Sequence, residues 1–417
     1  MGLGRFEDRV LKVRNGLPGE LVQARVLKRY RGEWFAEAWA VDDHSAERVV
    51  PPCAAFPRCG GCSLQHLSYD AQLAHKHTVV LDALEAVGMM ATSVRAPVAS
   101  GQLHYRRKAR FGVRCVGEEV LLGFRERFSS RVARLSDCKT LAVPAARLLP
   151  ELQATMQTLD EKETIPQVEV VVGDLELALI VRHLEPLSTR DKGTLSAFAQ
   201  HNSVRLYLQS GGYDEISLLT PAGEDTPMSY CLREFGLNLT FSVTDFIQAN
   251  GPLNEVLVSA AISALAPQPG ATVVDLFCGI GNFSLPLARR GARVTGFETA
   301  PGAIARAREN AAHNGLRGQC EFHQADLYDP GYGALGDAQL LLLDPPRTGA
   351  GPNLAKWLDA PSLRRAVYVS CNPLTLAQDA LVFRDGGFVL SEVGAYDMFP
   401  QTTHIETLAV FTRGTHG

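Results

Sequence analysis

The sequence predicts an α/β protein whose C-terminal part is a doubly wound, mostly parallel sheet, preceded by a β-rich central region and a small N-terminal β-barrel. Three observations predict it. After about residue 255, short apolar runs alternate with helical stretches, the pattern of βαβ units. From about 105 to 240 strand signals dominate, and residues 1–50 hold short β segments punctuated by turn residues. The chain's 417 residues suffice for two to four domains at roughly 100–200 residues each.

Composition narrows the class. With 46% hydrophobic and 21% charged residues and a net charge of −4, the chain is neither disordered nor fibrous. No apolar stretch approaches the roughly 20 residues of a membrane span. The opening residues, Met1 to Asp8, lack the apolar core of a signal peptide, so a cytoplasmic location is expected.

The elements follow in order. Leu21 to Leu27 and Trp34 to Val41 alternate imperfectly, and Gly16-Leu17-Pro18-Gly19 makes a turn before the first, which suits a five-stranded barrel over 1–50. Val49-Val50-Pro51-Pro52 reads as a linker into a cysteine cluster, opening a central segment over 51–240. Apolar positions Leu73, Val80, Leu81, Leu84 and Val87, ending at Gly88, predict a helix within 64–90. Strands are expected at Gln167–Val172, Glu176–Val181 and Val204–Gln209, with a helical insertion near 143–159. In the C-terminal segment, 241–417, strands are expected at Thr272–Leu276, Arg293–Phe297, Cys320–His323, Gln339–Leu343, Ala366–Val369, Phe388–Val393 and Leu408–Phe411. A helix is expected at Gly302–Asn314.

Charge is unevenly distributed. Twelve Lys and Arg against four acids lie between Arg95 and Arg147, interleaved with Tyr105, Phe111, Phe124 and Phe128. A solvated basic face is the plain reading. A phosphate-binding face with base-stacking rings is the sharper one.

The chemistry is expected beyond the carboxyl ends of the parallel strands. The first C-terminal strand runs into Phe277-Cys278-Gly279-Ile280-Gly281-Asn282, where two glycines permit a sharp turn and close approach of a ligand. Glu298, closing the next strand, can accept both ribose hydroxyls of an adenosine cofactor. NAD is disfavoured because Leu285-Pro286 follow in place of a third glycine, and Asp275-Leu276-Phe277-Cys278-Gly279-Ile280-Gly281 resembles the loop form that binds S-adenosylmethionine. Asp344-Pro345-Pro346-Arg347 ends the fourth strand in a stiff loop bearing a carboxylate. Ser370-Cys371-Asn372-Pro373 ends the fifth with a thiol over the same crevice. Glu406 begins the last strand. A thiol adding to C6 of uracil makes C5 nucleophilic toward a methyl sulfonium, and a carboxylate then removes the C5 proton. Cys371 and Glu406 supply those two groups.

A second constellation is Cys53, Cys59 and Cys62, with Cys138 distant in sequence. Nine cysteines without a secretion signal argue against a disulfide framework. Zinc and an iron–sulfur cluster both fit this donor set. Cys115, Cys231, Cys278 and Cys320 read as spare thiols.

Six ordered motifs resemble the RNA uracil-5-methyltransferase family. They are the cysteine run with Ser63-Leu64-Gln65-His66, Phe246 to Asn250, Asp275 to Phe283, Asp344 to Arg347, Ser370 to Pro373 and His404 to Thr407. The likeness is closest to members acting on 23S ribosomal RNA and covers essentially the whole chain. It implies a class I, Rossmann-like S-adenosylmethionine domain. It further implies a [4Fe–4S] cluster on Cys53, Cys59, Cys62 and Cys138, and cofactor contacts from Gln248, Phe277, Gly279, Asn282, Glu298, Asp326 and Asp344. Cys371 matches the nucleophile and Glu406 the base. Residues 1–50 resemble the OB-like, RNA-binding TRAM barrel, although Gly4-Arg5-Phe6-Glu7 replaces the family's glycine-rich opening and predicts an incomplete first strand. The expected protein is a monomer that takes 23S rRNA as substrate and flips its target base. A tRNA substrate, or an RNA-binding module with a vestigial transferase site, are the alternatives.

Overall fold

The computed structural model describes residues 2–212, 215–219, 226–331 and 335–414. Its N-terminal part is one four-stranded sheet, ordered β1-β2-β4-β3, of β1 (Gly2–Phe6), β2 (Arg9–Arg14), β3 (Leu21–Tyr30) and β4 (Glu33–Asp43). This departs from the expected five-stranded barrel. The first strand is also present, Gly2 to Phe6 pairing with Val13 to Arg9 in antiparallel register. Gly4 allows that pairing to close, because a Cβ there would lie 2.8 Å from Val13 Cγ2. The core of this sheet is small: Val13, Ala36 and Ala38, with Leu11 and Val22 at its edge.

The cysteine segment leads into α1 (Tyr69–Glu85), capped by the Ser68 hydroxyl accepting from Ala71 N–H, and β5 (Ser93–Val94). The helix differs from expectation in its buried face. It buries Gln72 and Lys76 along with Val80, Ala83 and Leu84, while Leu73 stays half-exposed. Lys76 Nζ lies 2.5 Å from Asp397 Oδ1, both side chains almost fully buried. Removing either partner strands the other charge, at a cost of about 3–5 kcal/mol. Periodicity misses this face because its polar groups are satisfied by tertiary partners, Gln401 and Asp397 among them, more than 300 residues away.

The central region is a six-stranded sheet, ordered β11-β10-β9-β8-β6-β7. Its members are β6 (Lys108–Val116), β7 (Glu119–Gly123), β8 (Gln167–Val172), β9 (Leu177–Arg182), β10 (Arg205–Gln209) and β11 (Ile216–Leu218), with α2 (Val143–Gln157) and α3 (Thr189–His201) between them. Leu149, Leu152 and Met156 of α2 and Leu195 and Phe198 of α3 complete its core. The basic window is less free than its composition suggests. Arg95, Arg107, Lys108, Arg110, Arg134 and Lys139 all form salt bridges. Tyr105 and Phe111 are core residues and cannot stack on bases, whereas Phe128 is half exposed.

The hairpin β12 (Met228–Leu232) and β13 (Leu237–Phe241) leads to α4 (Gly251–Leu265) and the C-terminal sheet. There follow β14 (Thr272–Leu276), α5 (Ser284–Arg289), β15 (Arg293–Glu298), α6 (Pro301–His313), β16 (Cys320–Gln324), β17 (Leu340–Leu343), α7 (Leu354–Leu358), β18 (Arg365–Ser370), α8 (Pro373–Asp385), β19 (Phe388–Tyr396) and β20 (Glu406–Arg413). The sheet order is β16-β15-β14-β17-β18-β20-β19-β5, parallel from β16 to β18 and with β20 antiparallel to both neighbours. Strand residues alternate between two cores. Val273, Val294, Leu342 and Val369 face α4, α5 and α6. Val274, Leu341, Leu343, Tyr368 and Phe411 face α1, α7 and α8. Residues 69–94, grouped by sequence with the central segment, therefore pack on the C-terminal sheet, β5 adding its eighth strand.

Candidate active site

The parallel strands β14, β15, β16, β17 and β18 all end on one edge, and eight of the nine candidate C-terminal residues lie at strand ends or in the loops that leave them. Gln248 reaches the same edge from the segment before α4. Its Nε2 lies 3.5 Å from Asp344 Oδ2.

The loop after β14 is sharply turned. Phe277 has φ of +65°, a conformation that strains a non-glycine residue, and Gly279 and Gly281 follow at +53° and +94°. A Cβ at Gly281 would collide with the Leu285 side chain. Glu298 braces this loop: Oε2 accepts from Gly279 N–H at 3.2 Å, and Oε1 accepts from Thr299 and Ala300 N–H at 2.7 and 3.1 Å. The carboxylate is thus held in one orientation at the end of β15. Asn282 is used differently. Its Oδ1 accepts from Tyr230 and Asn254, and its Nδ2 donates back to Asn254 Oδ1 at 3.0 Å. The side chain therefore ties the loop to β12 and α4. Asp326, two residues past β16, is exposed, with Oδ1 accepting from Tyr328 N–H at 2.9 Å.

Three groups form the chemical centre. Asp344 follows β17, Cys371 follows β18 and Glu406 opens β20. Antiparallel pairing of Ser370 with Thr407 makes Cys371 and Glu406 the next cross-strand neighbours. Burial pushes the Asp344 carboxyl up to about 7, the Gln248 hydrogen bond opposing and Glu298 adding to the rise. Glu406 is buried, and burial with the nearby Asp344 charge holds its carboxyl well above the usual range. The Cys371 thiol is pushed up to about 11, first by burial and then by Glu406 and Asp344, while Arg347 pulls the other way. Burial thus favours the uncharged forms of Cys371 and Glu406, and positive charge entering the crevice favours the charged ones. Sequence reading passed over Arg347 as part of a stiff loop. Its carbonyl also accepts from Asn372 Nδ2 at 2.9 Å, joining the loops that carry Asp344 and Cys371.

Cys53, Cys59, Cys62 and Cys138 line one small cavity with Phe56, Gln65, Phe124 and Lys139. Burial pushes the Cys59 thiol up to about 12, with the other three cysteines adding to the rise. Among the described residues no three His, Cys, Asp or Glu converge closely enough to hold a single metal ion. Arg127 secures the loop, donating to the carbonyls of Cys59 and Cys62 and to Asn15 Oδ1 of the N-terminal sheet.

Two family models match the chain. One, described as a methyltransferase domain, covers residues 267–331, and one described as tRNA (uracil-5-)-methyltransferase covers 336–413. The 23S rRNA (uracil(1939)-C(5))-methyltransferase RlmD of Azoarcus sp. (strain BH72) is 42% identical over 419 residues, covering 99% of this chain and 96% of that protein. Its namesake from Hahella chejuensis is 39% identical over 422 residues, with 99% and 94% covered. The tRNA (uracil-54, C5)-methyltransferase of Pyrococcus abyssi, solved with S-adenosyl-L-homocysteine, shares the fold at a TM-score of 0.75. It is 23% identical, with 99% and 97% of the two chains covered. With relatives this similar along almost its full length, and with the thiol, carboxylates and glycine loop gathered at one edge of a class I methyltransferase sheet, the chain belongs to the 23S rRNA (uracil-C5)-methyltransferase family.

Proposed function

We propose that the protein methylates C5 of a uridine in 23S rRNA, the observation that carries this being the placement of Cys371 beside Glu406 at the edge that also bears Asp344 and Glu298. The substrate follows the relatives' own. S-adenosylmethionine, when bound, supplies an electrophilic methyl group on a cationic sulfonium. The residues present fit it: Glu298 to accept the ribose hydroxyls, the glycine turn to admit close approach, and Asp344 with Gln248 as hydrogen-bonding groups at the same edge.

The Cys371 thiol and the Glu406 acid first give up their protons to solvent as positive charge enters the crevice. The Cys371 thiolate then adds through Sγ to C6 of the uracil, the C5=C6 electron pair moves to C5, and C5 takes the methyl group as the neutral thioether S-adenosylhomocysteine leaves. Glu406 then accepts the C5 proton, the C–H pair restores C5=C6, and the C6–Sγ bond breaks to release the Cys371 thiolate. C6 of a stacked base is out of reach of a thiol at the foot of this crevice, so the target nucleotide flips out.

The four-cysteine cavity is read as the seat of a [4Fe–4S] cluster. The donor set, its burial and the family resemblance support this. The N-terminal sheet is read as a TRAM-type RNA-binding module. Lys12 and Lys28 lie over the Phe35 ring, Arg9 and Arg29 over Trp34, and Lys28 again over the exposed Phe128 of the central region. Stacking rings beside cations suit single-stranded RNA. The protein is accordingly assigned to the cytoplasm, where rRNA is modified, and among the described residues no helix is long and apolar enough to cross a membrane.

The test is methyl transfer from labelled S-adenosylmethionine to unmodified 23S rRNA and to unmodified tRNA, with the product nucleoside identified by mass spectrometry. 5-Methyluridine in 23S rRNA alone is expected. Product in tRNA alone overturns the substrate, and product in neither overturns the reading.

A further inference from the structure

The bend from Asp397 to His404 joins β19 to β20 and delivers Glu406 to its place. Almost none of its polar contacts come from the C-terminal sheet. Lys76 Nζ donates to Asp397 Oδ1 and to the Phe399 carbonyl at 2.5 and 3.0 Å. Tyr69 OH donates to Asp397 Oδ2 at 2.9 Å, and Tyr105 OH donates to the Pro400 carbonyl at 2.9 Å. The Gln401 carbonyl accepts from both Ser63 and Leu64 N–H at 2.9 and 3.0 Å, and Ser63 Oγ accepts from Thr403 N–H at 3.1 Å. Ser63 and Leu64 directly follow Cys62.

Gln401 is the centre of this arrangement. It is buried, and its φ of +68° is one a non-glycine residue holds only when its surroundings impose it. The imposing partner is Gln72, only 1% exposed. Its Nε2 donates to Gln401 Oε1 at 3.0 Å, and its Oε1 accepts from Gln401 N–H at 3.1 Å, a closed amide pair. The same Nε2 lies within hydrogen-bond distance of the Leu64 and Leu67 carbonyls, so one side chain spans the post-cysteine loop and the bend.

We propose that the loop after Cys62 and the buried face of α1 form the seat of the β19–β20 bend, with Gln72 and Gln401 as positioning residues that hold Glu406 in register with Cys371. This rests on Glu406 being the base that takes the C5 proton. It also gives the cysteine cavity a part in catalysis without electron transfer. Whatever orders Cys59 to Cys62 orders Ser63 and Leu64, and through them the bend. Displacement by about an ångström at a reacting group costs up to roughly a hundredfold in rate, so a loose bend slows the step that Glu406 performs and leaves the earlier Cys371 addition running.

That asymmetry is the readout. Gln72→Met keeps the side-chain volume and deletes the amide pair. Gln401→Asn tolerates the left-handed backbone and is too short to reach Gln72. With the full chain, S-adenosylmethionine and unmodified 23S rRNA, each variant is assayed for kcat, for KM toward the cofactor, and for covalent protein–RNA adduct on denaturing gels. Expected are a fall in kcat of roughly ten- to a hundredfold, an unchanged KM, and adduct that accumulates as it does in Glu406→Gln. Less active protein without adduct, while Glu406→Gln accumulates it, overturns the proposal. So does unchanged kcat in both variants. Normal turnover by Glu406→Gln overturns the base assignment, and the proposal with it.

Discussion

Cys371 leaves β18 directly after the Ser370–Thr407 pair and Glu406 opens β20 directly before it, close enough for the Glu406 charge to raise the Cys371 thiol. The pairing of β18 with β20 sets their spacing, and the bend from Asp397 to His404 leads Glu406 into its strand. Cys371→Ala is expected to abolish methyl transfer to below about a thousandth of the parent rate while leaving cofactor affinity intact. Glu406→Gln is expected to trap protein on RNA. Turnover by Cys371→Ala, measured with labelled cofactor, removes the nucleophile assignment.

The same burial that places the thiol also keeps it protonated. With Cys371 pushed up to about 11, its alkylation in the free protein is expected to climb about tenfold per pH unit across roughly pH 7 to 10. The rate is read by mass spectrometry on the Cys371 peptide. A plateau below about pH 9 means that the free protein already holds a thiolate.

Glu298 is braced by three backbone N–H groups before any ligand arrives. Loss of hydrogen bonds to a charged acceptor is worth about 1.5–3 kcal/mol. Glu298→Ala is therefore expected to weaken S-adenosylhomocysteine binding roughly ten- to a hundredfold by calorimetry. An unchanged Kd removes Glu298 from the cofactor site.

Asp275 lies within β14, fully buried, its carboxyl pushed up to about 7 by burial and by the Asp344 and Glu298 charges, against the Ser284 hydroxyl that donates to it at 2.5 Å. The folded state thus binds a proton that the unfolded chain releases near pH 4. Stability from this group is full at low pH and is lost as pH rises through about 7. Asp275→Asn is expected to gain in Tm relative to the parent between about pH 5 and pH 8. A constant offset across that range, by thermal denaturation, refutes the assignment.

If the four cysteines hold an iron–sulfur cluster, anaerobically purified protein carries about four irons and four sulfides per chain and absorbs in the visible. Cys59→Ser is expected to lose that absorbance and much of its soluble yield. Protein purified anaerobically without iron, yet fully active, rules the cluster out.

The C-terminal strands were legible because strands buried on both faces read as near-continuous apolar runs. Val273-Val274, Leu340 to Leu343 and Ala366 to Val369 all have this form. The positions of Gly279, Glu298, Asp344 and Cys371 followed, since chemistry in such sheets gathers where strands end. The N-terminal strand order was not legible, because a core of three small residues imposes little pattern. The basic window misled for a related reason. Composition counts charges, and only the fold reveals that Arg107 faces Asp174 or that Phe111 is core.

The sequence by itself determined the doubly wound sheet, the glycine turn and the residue types that the chemistry needs, because local periodicity and turn chemistry are written within a few residues. Only the tertiary structure decided that Glu406 stands beside Cys371, that Asn282 braces its loop against Tyr230 and Asn254, and that Gln72 and Lys76 turn inward to hold the bend at Asp397 to Gln401. Those relations join residues tens to hundreds of positions apart. Buried polar groups reveal their partners only when the chain has closed around them.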